Sequence, residues 1–181
     1  MKILLLILFI TINLYGNIKQ KMLSQYQDKE YKEACNLGFN HFSEYSRDEE
    51  YISLYAFSCL NADYIDRLSV PIAKLKYSQE SRSNAAYFSI ILMQKKLLYH
   101  AMLDNYDISS LNLPSTDHVL SKVFDLYSKL KKDELKDVYI FEDENDNQLK
   151  YKLYLLKDDK IDKMIIEEFY NSISVKKHIY W

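Results

Sequence analysis

Two stretches of this chain, "DKEYKEAC" at residues 28–35 and "NADYIDRL" at 61–68, share the core [DE]-Y-x-[DE], and Tyr31 and Tyr64 lie 33 residues apart. At that offset Cys35, Phe39 and Phe42 superpose on Leu68, Ile72 and Leu75, and spacings of i, i+4 and i+7 mark one face of a helix. A short polar break precedes each tyrosine, "QDKE" and "LNAD". Before each break lies another helical stretch, over 18–27 and 48–61. The unit is helix, tight turn, helix, used twice. Paired helices with a period in the low thirties stack into solenoids, because one pair cannot bury its apolar face alone. Tyr31 and Tyr64 are expected near the starts of the second helices, with Phe39 and Ile72 buried between helices.

The sequence between and after the two units sorts by period. "SRDEE" sets Ser46 three residues before Glu49 as a capping box, with Asp48, Glu49 and Glu50 at the anion-favouring end of a helix. Ile52, Tyr55, Ala56 and Cys59 form the stripe that follows. A long helix is predicted over 83–103, and its centre, 90–93, is apolar all round and expected to lie deep. "DNYDISSLNLP" breaks the pattern. Pro114, Ser115 and Thr116 then signal a helix running to about Lys132, with Val119, Val123, Leu126, Tyr127 and Leu130 on one side. After Lys136 the period falls to two. "DVYIFE", "QLKYKLYLLK", "KMIIEEFY" and "SISVKKHIYW" are rich in β-branched and aromatic residues and are separated by polar turns. Tyr151, Leu153 and Leu155 alternate with lysines, and Ile173, Val175 and Ile179 keep the same two-residue phase. "KMIIEEFY" is read as a strand rather than a short helix. The expected fold class is α+β, an antiparallel helical-hairpin layer over 17–135 followed by a small antiparallel β-meander over 136–181 packed on the helices.

The first sixteen residues, "MKILLLILFITINLYG", have the layout of a secretory signal peptide: Lys2, an apolar run, and small Gly16 before polar sequence resumes. Cleavage after Gly16 would export the chain to the periplasm or cell envelope. The alternative is an uncleaved anchor, the one case in which a membrane becomes a partner, although the run is short for a span. Without its leader the chain is long enough for one domain with its own core. Basic and acidic residues are interleaved with no basic stripe, so nucleic acid is not expected as a partner. With only two Gly and two Pro, a loop-rich or disordered chain is disfavoured.

With Tyr31, Ala34, Tyr64 and the 33-residue spacing, the chain resembles tetratricopeptide-like helical repeats over residues 18–78. It departs from that pattern at Gly38, Arg67 and Pro71, the last falling inside a second helix, where a kink or a first-turn position is required. The whole chain also resembles small exported bacterial proteins with a helical-repeat front and a short β tail. The resemblance implies binding of a partner protein or peptide along a concave face.

Reaction chemistry is sparse. His41, His100, His118 and His178 are scattered without metal-ligand spacing, and neither a nucleophile elbow nor a phosphate loop can be assembled. "FEDENDNQLK" sets Asp143, Asn145 and Asn147 at alternate positions, but Gln148 and Tyr154 stand where a calcium loop needs Gly and Glu. It reads as a polar hairpin turn. Tyr51, Tyr55 and Tyr87, with Tyr26, Tyr77 and Tyr99, form either an aromatic partner-binding groove or core and core rim. Cys35 and Cys59 lie symmetrically about Arg47 in a proposed helix–helix turn. Export favours a disulfide between them, and two buried free thiols are the alternative. No catalytic residue, cofactor or metal is assigned. The expected function is a protein–protein interaction scaffold whose partner is another envelope protein or peptide. A small exported enzyme with a site built from distant residues, or a purely structural envelope component, is the alternative.

Overall fold

A computed structural model describes residues 17–130 and 136–181. The apolar leader and the end of the helix expected to reach Lys132 lie outside the described residues. The architecture is α+β. Among the described residues six α-helices and one 3-10 turn precede a four-stranded antiparallel sheet. The chain divides into two compact units, one ending at Ala86 and one running from Tyr87 to Trp181.

The first unit is built from α1 (Asn17–Gln27), α2 (Tyr31–Asn40), α3 (Glu49–Asn61), a 3-10 turn (Ile65–Leu68) and α4 (Ser69–Lys74). α2 packs against both α1 and α3. The two helix pairs turn in the same way. Asp28, Lys29 and Glu30 donate to the carbonyls of Ser24, Tyr26 and Gln25, and Ala62, Asp63 and Tyr64 donate to Ser58, Leu60 and Cys59. Lys29 and Asp63 both hold the left-handed conformation that ends a helix, at φ 62° and 63°. Every one of these equivalences lies at an offset of 34, not 33. Tyr31 is therefore the first residue of α2, whereas Tyr64 is the residue before the 3-10 turn and matches Glu30.

Two local expectations change with that register. Phe39 is 56% exposed, because Gly38 takes the buried position beside Ala34 and Cys35. Ile72 is half-buried. Pro71 lies in the first turn of α4, where its missing N–H costs nothing, and the 3-10 turn before it absorbs the break in the second helix. The cap of α3 is Asp48 rather than Ser46: its carboxylate accepts from Tyr51 N at 3.0 Å and from Lys19 Nζ at 3.0 Å. Ser46 Oγ donates to the Ser43 carbonyl instead. Glu49 accepts the backbone N–H groups of Lys76 and Tyr77 at 2.7 Å and Ser78 at 2.9 Å, ordering the approach to the next helix. Those bonds, led by Tyr77 N–H, hold its carboxyl down at about 2.

That helix, α5, spans Gln79–Asp104, beginning four residues earlier than its apolar pattern suggested, and the boundary between the units falls within it. The apolar centre at 90–93 is not uniformly deep: Ile91 is buried and Met93 is exposed. The buried stripe in the second unit is Phe88, Ile91, Gln94, Lys95, Leu98 and Ala101. Gln94 Nε2 donates to the Pro114 carbonyl at 3.2 Å, and Lys95 Nζ donates to the Trp181 carbonyl. α6 spans Val119–Ser128 and starts later than Pro114 implied. His118 caps it through Nδ1, which accepts from Leu120 N at 3.2 Å, and Thr116 N donates to Ser121 Oγ at 2.8 Å.

The sheet follows the order β1 (Val138–Glu142), β2 (Leu149–Leu156), β3 (Lys163–Tyr170), β4 (Ile173–Tyr180), each pair antiparallel. Phe141↔Tyr151, Tyr151↔Glu168, Leu153↔Ile166, Ile166↔His178 and Met164↔Tyr180 fix one inner face. Tyr139, Phe141, Tyr151, Leu153, Met164, Ile166, His178 and Tyr180 are buried on it. In β4 the phase therefore differs from the apolar alternation: Ile173, Val175 and Ile179 are exposed, while His178 and Tyr180 face the core. A bulge opposite Glu168 and Phe169 interrupts the β3–β4 register at Val175.

Candidate functional site

Cys35 and Cys59 form a disulfide, with Cα atoms 4.8 Å apart, tying α2 to α3. Both are fully buried. The Arg67 guanidinium lies 3.3 Å from Cys35 Sγ, donates to Asn36 Oδ1 at 2.8 Å, and sits over the rings of Phe39 and Tyr64 at 5.0 and 4.7 Å. Phe39 is thus one wall of a surface guanidinium sandwich. Disulfides of this kind form and persist in compartments that oxidise thiols. Among the described residues, no helix is long and apolar enough to cross a membrane.

Tyr51 and Tyr55 belong to the core of the first unit, as the packing alternative for these tyrosines has it. The Tyr51 hydroxyl donates to the Gly38 carbonyl at 3.0 Å, and the Tyr55 ring packs where a side chain on residue 38 would stand. Burial pushes both phenols above their ordinary range. Tyr87, in the second unit, is half-buried and donates to Asp117 Oδ1 at 2.8 Å.

The ionisable groups that the sequence scattered meet in a polar seam where α6 approaches the sheet. Asp143, closing β1, accepts from the Tyr151 hydroxyl at 2.5 Å and from Lys122 Nζ at 3.2 Å through Oδ2. Its Oδ1 accepts from Asn145 N at 2.9 Å and Asp146 N at 3.2 Å. The 143–147 stretch is a hairpin turn whose first carboxylate is fully engaged. The Tyr151 bond, then Asn145 N–H and Lys122, hold the Asp143 carboxyl down at about 2 against burial. Burial and the nearby carboxylate push the Tyr151 phenol upward. Across the ladder from Tyr151, Glu168 Oε1 meets His178 Nε2 at 2.9 Å, and that bond lowers the Glu168 carboxyl against burial. A cleft of about 190 Å³ lined by Thr116, Lys122, Asp125 and Asp143 opens beside the seam. The His178 ring, 1% exposed, is closed to any substrate there. The arrangement is suited to fastening the hairpin to α6 and β4 to β3. Among the described residues, no group of three or more His, Cys, Asp or Glu side chains is placed to hold a metal.

Among the described residues the sheet presents its outer face to solvent, and no strand lies beyond β1 or β4. The row Val138, Tyr154, Ile165, Ile179 crosses all four strands, and the next row is Ile140, Lys152, Glu167, Lys177. Ile140 is 69% exposed, Trp181 48%, Val138 42% and Ile179 37%. Ile165 is buried within its row, between Tyr154 and Ile179. The Lys152 and Lys177 ammonium groups stand 5.0 and 5.9 Å from the Tyr154 ring. Alternation by itself does not single these residues out. The available signal is that "VYIF" in β1 and "IYW" after His178 are apolar in both phases, so both faces of those strands carry apolar side chains. Compared with protein families, with curated proteins and with solved structures, the chain finds no significant match in any of the three.

Proposed function

We propose that this is an exported protein of the periplasm or cell envelope that works by binding another protein, with the sheet rather than the helical layer as its contact surface. The observation that carries this reading is the apolar outer rim of the sheet, Val138, Ile140 and Ile179 on the two edge strands and Trp181 just after β4, and among the described residues no strand lies beyond those edges. Open edges of this kind are a ready template for pairing with another chain. The tetratricopeptide-like pairs then serve as scaffold, with Tyr51 and Tyr55 spent on packing. The leader sequence and the Cys35–Cys59 bond support export. The enzymatic alternative would rest on the Glu168–His178 pair, and the closure of that ring to solvent lends it little support.

Two experiments test the reading. Intact mass of the native protein is expected to place the mature N-terminus at or close to Asn17, and a chain retaining Met1 contradicts export with cleavage. A photoreactive residue at position 179 is expected to give a protein adduct of defined mass in the envelope, and one at exposed Lys32 on α2 is expected to give none. Equal labelling from both, or none from either, contradicts the sheet as contact surface.

A further inference from the structure

We propose that copies of this chain join edge to edge, β4 of one copy pairing antiparallel with β1 of the next. The inference rests on the sheet being the contact surface and names its occupant as a second copy. In the order β1-β2-β3-β4 every neighbouring pair is antiparallel, so β1 and β4 run in opposite directions. A copy carried along the hydrogen-bonding direction therefore brings its β1 antiparallel to β4, with both outer faces on the same side. Faces are preserved only in alternate registers, because side chains alternate along each strand.

One of those registers matches along its whole length. On the outer face it sets Glu142 against Lys177, Ile140 against Ile179 and Val138 against Trp181. On the inner face it sets Tyr139 against Tyr180 and Phe141 against His178. Charge meets opposite charge, the exposed isoleucines cover each other, and the inner positions extend the aromatic core; each kind of pair is favourable across strands. A slip of two residues sets Glu142 against Val175 or against Ile179, and the charge pair is lost. The matching stretch, 177–180 of β4 with Trp181 directly after it, lies beyond the bulge at Val175, where β4 is regular. Glu142 is held within its own copy by Lys150 Nζ at 2.7 Å, a solvent-exposed pair that is cheap to exchange. Pairing β4 with itself about its centre would instead bring Lys176 and Lys177 of one copy opposite Lys177 and Lys176 of the other, which disfavours that two-fold pairing.

The contact is heterologous, so it propagates into short chains or closes into a ring. A ladder of five residues is small for a stable interface, and weak, reversible association is expected. Sedimentation velocity on the mature chain with its disulfide intact tests this. The sedimentation coefficient of the native protein is expected to rise with concentration from low micromolar to near-millimolar. E142K and K177E should each weaken association roughly tenfold, the equivalent of about 1.4 kcal/mol. Mixing the two variants should restore it. The lysine introduced by E142K then meets the glutamate introduced by K177E, and at the next junction the unaltered Glu142 meets the unaltered Lys177. The double swap in one chain should restore it as well. A native protein that stays monomeric throughout, or association that neither variant weakens, or weakening that neither the mixture nor the double swap repairs, overturns the proposal. A monomer that still gives the position-179 adduct with another protein overturns self-pairing and leaves the contact surface standing, whereas a monomer without that adduct overturns both.

Discussion

Gly38 shows how much of this fold turns on one missing side chain. A Cβ there would come within 2.6 Å of Tyr55 Cδ2 and 3.0 Å of Met22 Sδ. The ring is braced in the core and cannot swing aside, so Gly38→Ala is expected to cost about 1–3 kcal/mol by overpacking, read as a lower denaturation midpoint with an unchanged slope. Unchanged stability would mean that α2 and α3 can separate freely. Asp143 carries a second residue-scale prediction. Its carboxyl lies at about 2 in the fold against an ordinary 3.8, so it contributes stability that is complete above about pH 4 and is lost as the pH falls through 2. Asp143→Asn should lower stability at neutral pH and flatten the loss of stability between pH 4 and pH 2. An unaltered acid profile would show that the Tyr151 and Lys122 contacts carry no weight.

At the scale of elements, the disulfide ties the first helix pair to the second. Its ends lie 24 residues apart. Replacing both cysteines by serine is expected to lower stability by about 3 kcal/mol, chiefly by freeing the unfolded chain. A cost near zero in denaturant titration would contradict that role. The same elements show what was legible in the sequence and what was not. All four strands were readable because alternating β-branched and aromatic runs are punctuated by polar turns. The period of the helix pairs was misread by one residue, since both turns use Lys29 and Asp63 at the left-handed position and lack the glycine that usually marks it. The shared tyrosine motif then drew the alignment to 33. The burial of Tyr51 and Tyr55 and the exposure of Phe39 follow from Gly38, whose packing cannot be read from spacing. The polar seam was illegible for a different reason: Lys122, Asp143, Tyr151, Glu168 and His178 come from separate elements and share no local motif.

For the whole molecule, the proposed contact surface is the rim of the sheet. The sheet's defences against unspecific pairing are visible in β4, a bulge at Val175 and adjacent lysines at 176 and 177, yet the stretch beyond them is apolar and regular. An edge guarded over half its length and open over the rest is suited to one partner in one register. Position-specific cross-linking tests this most directly. The chain has two cysteines, both in the disulfide, so introduced thiols are the reactive ones. Copies carrying Ile140→Cys are mixed with copies carrying Ile179→Cys and treated with a short bismaleimide. Edge-to-edge pairing predicts 140–179 linked dimers in the mixture and few dimers from either variant alone. Equal yields from the single variants, or no dimer in the mixture at concentrations where the native protein associates, would contradict it.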